Sequence, residues 1–401
     1  MRIDRVIDGG LCAGCGLCAS VLGAPRGRMN LDQNGYLRPA INGDLSKAEN
    51  ELLSRVCPGG RLAYQSGGRP FETIWGPVLD AFVGFATEPR LRLQASSGGA
   101  LSALATHMLE SGQASYVVHV GADPETPWLN QTSESTTAPE ILERAGSRYA
   151  PSAPLADILQ RLQQPGRAVV IGKPCDIAAL RMYCRENPSV ADRIAGMFTF
   201  LCGGVPSRRG VELILARMRV DPRDVISFRF RGYGWPGRAC ATLKTGEQKS
   251  LTYAETWGGI LTHHVQKRCK ICPDGTGMFG DVACGDAWHL DSRGRPLFDE
   301  NEGRSLMIAR TAAGASILAA AAKAGRIAIE RTSLESMTQM QPGQIRRTQL
   351  TLSRLTAMAV LGRPTPSFTG LRLLRAARRA GLLANIKSFL GALRRVLRGQ
   401  L

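Results

Sequence analysis

The residues best suited to chemistry are cysteines, and their spacing near the N-terminus is the most specific feature of the sequence. Three follow the pattern Cys12-x2-Cys15-x2-Cys18, and a fourth, Cys57, precedes Pro58. Three thiolates on a tight glycine-rich loop can reach three irons of one cubane while a distant Cys-Pro supplies the fourth ligand, so the spacing predicts a [4Fe–4S] cluster. Four thiolates can also surround one zinc ion as a tetrahedron. We favour the cluster because zinc sites usually use two separated Cys-x2-Cys pairs.

A second set of four cysteines is more widely spread along the chain. Two members follow predicted strands and the others form a Cys-x2-Cys pair: Cys175, Cys202, Cys269 and Cys272. Open α/β sheets place ligands at the carboxyl ends of their strands, so we expect these thiols to hold a second [4Fe–4S] cluster. Packing alone stays open as an alternative, because free cysteine is among the most buried residue types. We interpret the remaining three as core or loop thiols: Cys184, Cys240 and Cys284.

The composition limits the class of protein that carries these cysteines. The chain has 401 residues, of which 44% are hydrophobic and 21% charged, enough for a sizeable core and more than one domain. Disordered, collagen-like and disulfide-stapled miniproteins are excluded. The first ten residues lack the apolar segment of a signal peptide, and no apolar run approaches the roughly 20 residues that span a bilayer. We therefore expect a cytoplasmic protein whose eleven cysteines serve metal or redox chemistry.

Apolar periodicity predicts alternating strands and helices from residue 80 onward. Strands are predicted at 81–86, 116–120, 168–171 and 194–202, with helices at 100–109, 155–162, 209–218 and from Pro174. Two further strands, 225–230 and 239–243, flank a long turn. Such alternation favours a partly parallel sheet covered by helices. The predicted fold class is α/β (α+β): a ferredoxin-like cysteine-rich module, then a mixed sheet covered by helices, and a basic helical tail.

The C-terminal tail carries most of the net charge of +18. Residues 344–401 hold eleven Arg and one Lys but no Asp or Glu. Apolar residues recur there at spacings of three and four, which predicts basic amphipathic helices. Such helices can lie on an anionic membrane surface, dock an acidic partner or cover the protein's own core; we favour a partner or the membrane. Nucleic acid is not expected, because aromatic residues make up only 6% of the chain and no binding module is evident.

The motifs, taken in order, resemble the family of the coenzyme F420-reducing hydrogenase beta subunit, which includes F420 dehydrogenase subunits and 7-hydroxymethyl chlorophyll a reductases. The matching segments are Cys12–Cys18, Ser97–Gly99, Gly172–Leu180, Cys202–Pro206, Phe228–Arg231 with Gly234–Gly237, and Arg268–Asp274 with Gly285–Trp288. The resemblance implies an iron–sulfur flavoprotein that holds FAD beside its clusters. It leaves coenzyme F420 open as a further cofactor. The implied domains are a [4Fe–4S] module (1–70), a flavin-binding N-terminal part (71–155), a C-terminal part with the second cluster (156–340) and the tail (341–401).

Several residues are candidates for binding the implied FAD. Ser96, Ser97, Gly98 and Gly99 precede a predicted helix, whose N-terminal N–H groups would form an anion site for the diphosphate. Lys173 would supply the positive charge that favours reduced anionic flavin. Arg229 and Arg231 alternate along a predicted strand, so they would share one face as a phosphate or carboxylate clamp. The alternatives are an ordinary turn, a solvated lysine and an exposed strand face.

The catalytic residues are the least defined part of the prediction. Lys173, Asp286 and His264 are weak candidates, because an amine, carboxylate or imidazole near flavin or substrate can move protons. We expect electrons to pass from a ferredoxin-like or deazaflavin donor through the clusters and FAD to a small organic substrate. A deazaflavin, a chlorophyll precursor and a sugar-derived compound stay open as substrates. The alternatives are an electron-transfer component of a larger complex with no substrate of its own, and a zinc-stabilised binding protein.

Overall fold

The first 63 residues form a small module around the N-terminal cysteine loop in this computed structural model, which describes residues 1–68 and 70–401. The module contains α1 (Ile3–Asp8), α2 (Leu17–Leu22), β1 (Gly27–Leu31), β2 (Leu37–Ile41), α3 (Lys47–Val56) and β3 (Arg61–Ala63). Helix α3 begins at a capping box, in which the Ser46 hydroxyl accepts from the Glu49 N–H and the Glu49 carboxylate accepts from the Ser46 N–H. Because Cys57 is the C-cap residue of α3, this helix fixes the position of the fourth cysteine.

The middle of the chain, from residue 80 to residue 331, supplies two sheets and the helices around them. In chain order its elements are β4 (Asp80–Ala86), α4 (Pro89–Gln94), α5 (Ala100–Glu110), β5 (Tyr116–Ala122), β6 (Asn130–Ser135), α6 (Ala138–Glu143), α7 (Ile158–Arg161), β7 (Ala168–Ile171), α8 (Pro174–Glu186), α9 (Pro188–Ala191), β8 (Ile194–Phe200), α10 (Arg208–Met218), β9 (Val225–Arg229), β10 (Ala239–Leu243), β11 (Gln248–Leu251), α11 (Lys267–Lys270), β12 (Val282–Asp286), β13 (Ser305–Ala309), α12 (Ala312–Lys323) and β14 (Ile327–Arg331). Strands β9, β10 and β11 form a separate antiparallel sheet.

The other eight strands form one mixed sheet in the order β14-β4-β13-β12-β8-β7-β5-β6. The neighbours β12, β8, β7 and β5 run parallel, and the remaining pairs are antiparallel. Val117 and Val169 pack with residues of α5 and α12, whereas Val118 and Val170 pack with residues of α8. Since successive strand residues point to opposite faces, helices cover both sides of the sheet. The predicted α/β fold class is confirmed.

The parallel strands place their carboxyl ends along one edge of the sheet. Lys173 and Cys175 follow β7, Cys202 follows β8 and Asp286 ends β12. The predicted strand at 168–171 and the helix beginning at Pro174 are confirmed, because a continuous apolar run followed by Pro at the first helical position leaves few alternatives. This edge therefore gathers the residues that the sequence singled out.

The predicted helix at 155–162 is wrong for half of its length. Only α7, Ile158–Arg161, is helical. The Leu155 N–H donates to the Cys15 carbonyl at 3.0 Å, so the chain before α7 follows the cysteine loop instead of continuing a helix. A contact between distant segments overrides the local apolar periodicity.

The C-terminal residues are helical and pack on the N-terminal module. The elements are α13 (Leu334–Met340), α14 (Pro342–Val360), β15 (Ser367–Thr369), α15 (Leu373–Ala380) and α16 (Leu382–Leu397). Strand β15 pairs in parallel with β3. Helix α16 buries Ala392 and Val396 in a cluster that includes Ile3 and Leu11. The predicted basic tail helices are confirmed, and among the described residues no helix is both long and apolar enough to span a membrane.

Candidate metal centres and adjoining cavity

The four N-terminal cysteines line one small cavity. Cys12, Cys15 and Cys18 reach it from the loop between α1 and α2, and Cys57 reaches it from the end of α3. The remaining wall is mostly apolar and includes Ile3, Leu17, Leu53 and Val56. All eleven cysteines, which lie in the described part of the chain, are free thiols. The predicted first ligand set is thus brought together around one space.

Two glycines give the cysteine loop its shape. Gly14 and Gly16 have φ of 73° and 90°, a backbone region that side chains other than glycine rarely adopt. A Cβ on Gly16 would lie 2.6 Å from the Ala156 nitrogen, so this position also needs glycine for close approach of the chain. The Gly14 N–H points to the Cys12 sulfur at 3.4 Å. The loop therefore offers backbone donors as well as thiols.

The electrostatics of this set favour a cationic occupant. Burial raises the pKa of the Cys57 thiol to about 11, and the nearby Cys12 adds to the shift. Burial also raises the pKa of Cys15, and the charges of Cys18, Asp176 and Cys57 oppose its ionisation further. Four buried thiols of this kind do not ionise together unless metal ions compensate their charge. The donor set fits an iron–sulfur cluster.

The second set meets where β7 and β8 end. Burial raises the pKa of Cys202 to about 12, with Cys269 and Cys272 contributing, and the pKa of Cys175 is raised by burial and by Asp176, with smaller contributions from Cys269 and Cys202. These mutual interactions place the four predicted thiols close together. The Val205 N–H donates to the Cys269 sulfur at 3.4 Å.

Neither set is arranged around a single ion. Within the described chain, no three side chains of His, Cys, Asp or Glu form a site for one metal ion. A [4Fe–4S] cluster differs from such a site because each thiolate binds a different iron.

One glutamine connects the two cysteine sets. The Gln266 side-chain amide donates to the Ala13 carbonyl at 3.2 Å and to the Cys269 sulfur at 3.5 Å, and its oxygen accepts from Arg38 at 3.0 Å. Gln266 is 1% exposed. The sequence analysis missed this residue, since a glutamine three positions before a cysteine carries no recognisable signal.

Lys173 lies between the two sets as half of a buried ion pair. Its ammonium donates to the Ser152 carbonyl at 2.8 Å and to Asp176 at 2.9 Å. Burial opposes the charge of Lys173, but Asp176 outweighs that effect and raises the lysine pKa. Burial raises the pKa of Asp176 to about 6 despite the lysine. Lys173 is therefore a buried, neutralised cation, and the alternative of a solvated loop lysine is wrong.

A cavity of about 440 Å³ adjoins the second cysteine set. Its volume lies in the range of small-molecule and cofactor sites. Cations and aromatic rings border it: Arg144, Arg148, Lys173, Arg231, Arg347, Tyr149, Tyr253, Trp257 and Trp288. Cys202, Gly203 and Gly204 form part of its wall. The cavity suits an anionic ligand with a planar ring.

Asp286 anchors one wall of this cavity. Its carboxylate accepts two hydrogen bonds from Arg231, at 2.8 and 3.0 Å, and one each from Trp235 at 2.6 Å and Ser97 at 2.7 Å. Burial opposes ionisation of Asp286, yet these partners keep its pKa below the usual value. Trp235 stacks on Trp288 with ring centres 4.8 Å apart. Asp286 is therefore a fixed anion that orients its neighbours.

The predicted anion site at 96–99 borders the same cavity through Ser96, Ser97 and Gly99. Helix α5 begins directly after it, and the first-turn residues Leu101 and Ser102 also face the cavity. Two backbone donors of the loop are used internally: the Gly98 N–H donates to the Ser305 hydroxyl, and the Gly99 N–H to the Ser96 carbonyl. Donors available to a ligand must come from the helix itself.

Two candidates lie away from the cavity. The expected clamp of Arg229 and Arg231 is wrong, because β9 ends at Arg229 and the chain then turns toward Gly232, whose φ is 105°. Arg231 borders the cavity, whereas the Arg229 guanidinium stacks on Tyr233 at 4.5 Å. His264 is outside the cavity lining, and its carbonyl accepts from Tyr36 at 2.6 Å.

Comparison with known proteins agrees with this architecture. Relatives include a component of the F(420)H(2) dehydrogenase of Methanosarcina mazei (23% identical over 72% of this chain and 80% of the relative), the coenzyme F420-dependent sulfite reductase of Methanocaldococcus jannaschii (22%; 71% and 43%) and the beta subunit of F420-dependent formate dehydrogenase 1 of Methanococcus maripaludis (25%; 50% and 50%). A chain in the structure of the F420-reducing [NiFe] hydrogenase complex from Methanosarcina barkeri shares the fold, with a TM-score of 0.55 and 20% identity over 72% of this chain and 96% of that chain.

These relatives place the chain among oxidoreductases and their subunits. Residues 81–160 match the model of the N-terminal part, and residues 166–335 that of the C terminus, of the coenzyme F420 hydrogenase/dehydrogenase beta subunit. The chain belongs to this family, as the ordered motifs predicted. The match spans about half the length of the second and third relatives.

Proposed function

We propose that this chain is an iron–sulfur flavoprotein that passes electrons from a ferredoxin-like or deazaflavin donor to an organic substrate. The observation that carries the proposal is the juxtaposition of two four-cysteine sets, joined by Gln266, with the cavity that Cys202 borders. Membership in an oxidoreductase family supports the same conclusion.

The cysteines would hold two [4Fe–4S] clusters, which supply one-electron chemistry when bound. Cys12, Cys15, Cys18 and Cys57 form the first set, and Cys175, Cys202, Cys269 and Cys272 form the second. Hydrogen bonds from Gly14, Val205 and Gln266 to the sulfurs would help set the reduction potentials.

The cavity would hold FAD, which supplies the exchange between one-electron and two-electron chemistry when bound. Arg231 is kept in place by Asp286 and presents a fixed positive charge to the cavity. The start of α5 would stabilise a diphosphate. The aromatic rings of Tyr149, Tyr253 and Trp257 would exclude water from the ring of the flavin.

Anaerobic isolation followed by flavin analysis and stepwise reduction tests this proposal. We expect bound FAD and bleaching of its absorbance when reduced ferredoxin or reduced coenzyme F420 is added. The two donors are compared at equal concentration, because the names of the relatives favour the deazaflavin. A preparation that binds iron but no flavin at any stage would contradict the flavoprotein part of the proposal.

A second candidate function is electron transfer within a larger complex, without a substrate of its own. It is favoured by the relatives, two of which are named as subunits. Affinity purification from the native cell distinguishes the two functions. Co-purification of a catalytic subunit in constant ratio supports the role in electron transfer, whereas substrate turnover by the isolated chain supports the enzyme.

A further inference from the structure

The last helix exposes an apolar face that nothing in the described chain covers. On α16 this face consists of Leu382, Leu383, Ile386, Leu390 and Leu397, which are 78%, 65%, 45%, 57% and 76% exposed. Large aliphatic side chains at such exposure are unusual when they recur on one element. At 3.6 residues per turn these positions fall on one stripe of the helix.

Packing against the protein does not account for this stripe. The other side of α16 supplies the packing contacts, with Ala392 and Val396 buried and Phe389 and Leu393 partly buried against the same cluster. Asn385, on that side, donates to the Ala377 carbonyl of α15 at 2.8 Å. The helix is thus anchored through one face while it presents a second apolar face outward.

A basic edge flanks the exposed stripe. Lys387, Arg394 and Arg398 are exposed and lie beside the stripe on the helix surface. None of them forms an ion pair with any residue that the structure describes. The surrounding segment, residues 344–401, contains no acidic residue at all. The charge therefore has no internal partner and is complementary to an external anion.

The composition of the stripe distinguishes a lipid surface from a protein partner. Protein interfaces are enriched in Tyr, Trp and Arg at their centres and carry polar groups that pair with the partner. This stripe contains only leucine and isoleucine, lies on a convex helix, and has its charges at the edge. An aliphatic face bordered by Arg and Lys is the arrangement of helices that lie in the interface of an anionic bilayer.

We propose that α16 docks this chain onto the surface of an anionic phospholipid bilayer. The stripe defined by Leu382, Leu383, Ile386, Leu390 and Leu397 enters the headgroup and acyl boundary, and the basic edge contacts the lipid phosphates. The tail lies outside the segments that match the family, which end at residue 335. Membrane docking is thus a property of this chain that is separate from its proposed electron transfer.

Sedimentation of the full-length protein with vesicles tests the proposal. We expect binding to vesicles of phosphatidylcholine mixed with phosphatidylglycerol, weaker binding at high ionic strength, and little binding to phosphatidylcholine alone. The double variant Ile386→Gln, Leu390→Gln should lower the affinity by about tenfold or more. Neutralising the basic edge with Lys387→Gln, Arg394→Gln, Arg398→Gln should abolish the preference for anionic vesicles.

A matched variant controls for the loss of exposed leucines in general. Leu213 on α10 and Leu334 on α13 are 45% and 42% exposed, and the double variant Leu213→Gln, Leu334→Gln should bind vesicles like the wild type. Thermal unfolding should be unchanged in both double variants, because the substituted side chains are exposed.

Three results would overturn the proposal. The first is absence of binding to either kind of vesicle, and the second is equal binding by the wild type and the Ile386, Leu390 variant. The third is a protein occupant: a concentration-dependent dimer, or a complex with an acidic ferredoxin, that only the Ile386, Leu390 variant loses. None of these results depends on whether the chain carries flavin or iron, so they do not bear on the proposed function.

Discussion

The Asp286 carboxylate determines the shape of one cavity wall through a single buried ion pair. Arg231 is 3% exposed and donates two hydrogen bonds to Asp286. In Asp286→Asn the guanidinium would keep its charge without a buried counter-ion. Breaking such a pair costs about 3 kcal/mol or more, so we expect the free energy of unfolding, measured in urea, to fall by about that amount.

An exposed ion pair provides the matched control. Arg223 is 88% exposed where it pairs with Asp221, and solvent screens such contacts. Asp221→Asn should change the free energy of unfolding by no more than about 0.5 kcal/mol. A wild-type urea midpoint for Asp286→Asn would show that the pair does not stabilise the cavity wall.

His119 makes the stability of the protein sensitive to mild acid. It is buried beside the cavity and shares a hydrogen bond with the Ser135 hydroxyl. Burial, with a contribution from Arg144, lowers its pKa from 6.5 to about 4. The unfolded chain therefore binds a proton below pH 6.5 that the folded chain refuses until about pH 4. Stability is complete above pH 6.5 and falls by about 3 kcal/mol across this window.

His119→Gln should remove this part of the pH dependence. The measurement is the urea midpoint of wild type and variant at several pH values across the window. The exposed His263→Gln serves as control and should keep the wild-type slope. Parallel pH profiles for wild type and His119→Gln would contradict the assignment to His119.

At the scale of elements, the cysteine loop depends on how closely the segment before α7 approaches it. In Gly16→Ala the new Cβ would lie 2.6 Å from the Ala156 nitrogen, at a residue whose φ is 90°. Both the contact and the backbone strain disfavour the wild-type loop. We expect Gly16→Ala to lose the iron held by the first cysteine set and to unfold at lower urea concentration.

Gly23 separates strain from steric overlap. Its φ is 68°, but a Cβ there meets nothing within 4 Å. Gly23→Ala should therefore cost only about 1 kcal/mol and retain its iron. Equal iron contents in Gly16→Ala and Gly23→Ala would argue against close packing of the loop as a requirement.

Sequence patterns predicted the elements whose evidence is local and missed those set by distant contacts. Strand β7 is a continuous apolar run, and α8 begins at Pro174, so both follow from neighbouring residues. The segment 155–157 reads as helical by periodicity, yet its contact with Cys15 decides otherwise. The predicted Arg229 and Arg231 clamp was wrong because the strand ends between them. Asp286 was singled out for proton transfer, while its observed partners make it an anchor.

At the scale of the whole molecule, Gln266 links the N-terminal module to the large sheet. It bonds to Ala13 in one cysteine set and to Cys269 in the other. Gln266→Ala would leave the buried Ala13 carbonyl without this donor, and we expect the free energy of unfolding to fall by about 1–3 kcal/mol. Loss of the donor to the Cys269 sulfur should also make the reduction potential of the second centre more negative.

Potentiometric titration followed by electron paramagnetic resonance measures the second effect, and urea denaturation the first. The exposed Gln163→Ala is the control and should leave both quantities unchanged. Unaltered stability and potential in Gln266→Ala would mean that the two cysteine sets are not coupled through this side chain. No sequence pattern could have indicated the link, because Ala13 and Gln266 are 253 positions apart.

The central claim is that eight of the eleven cysteines hold two iron–sulfur clusters, and the iron and sulfide content of the anaerobically isolated protein tests it most directly. We predict about eight irons per chain in the wild type and about four in each of Cys18→Ser and Cys269→Ser. Cys240→Ser, which changes a buried thiol in β10 outside both sets, should keep about eight. Zinc in place of iron, or an iron content that Cys269→Ser leaves unchanged, would contradict the account.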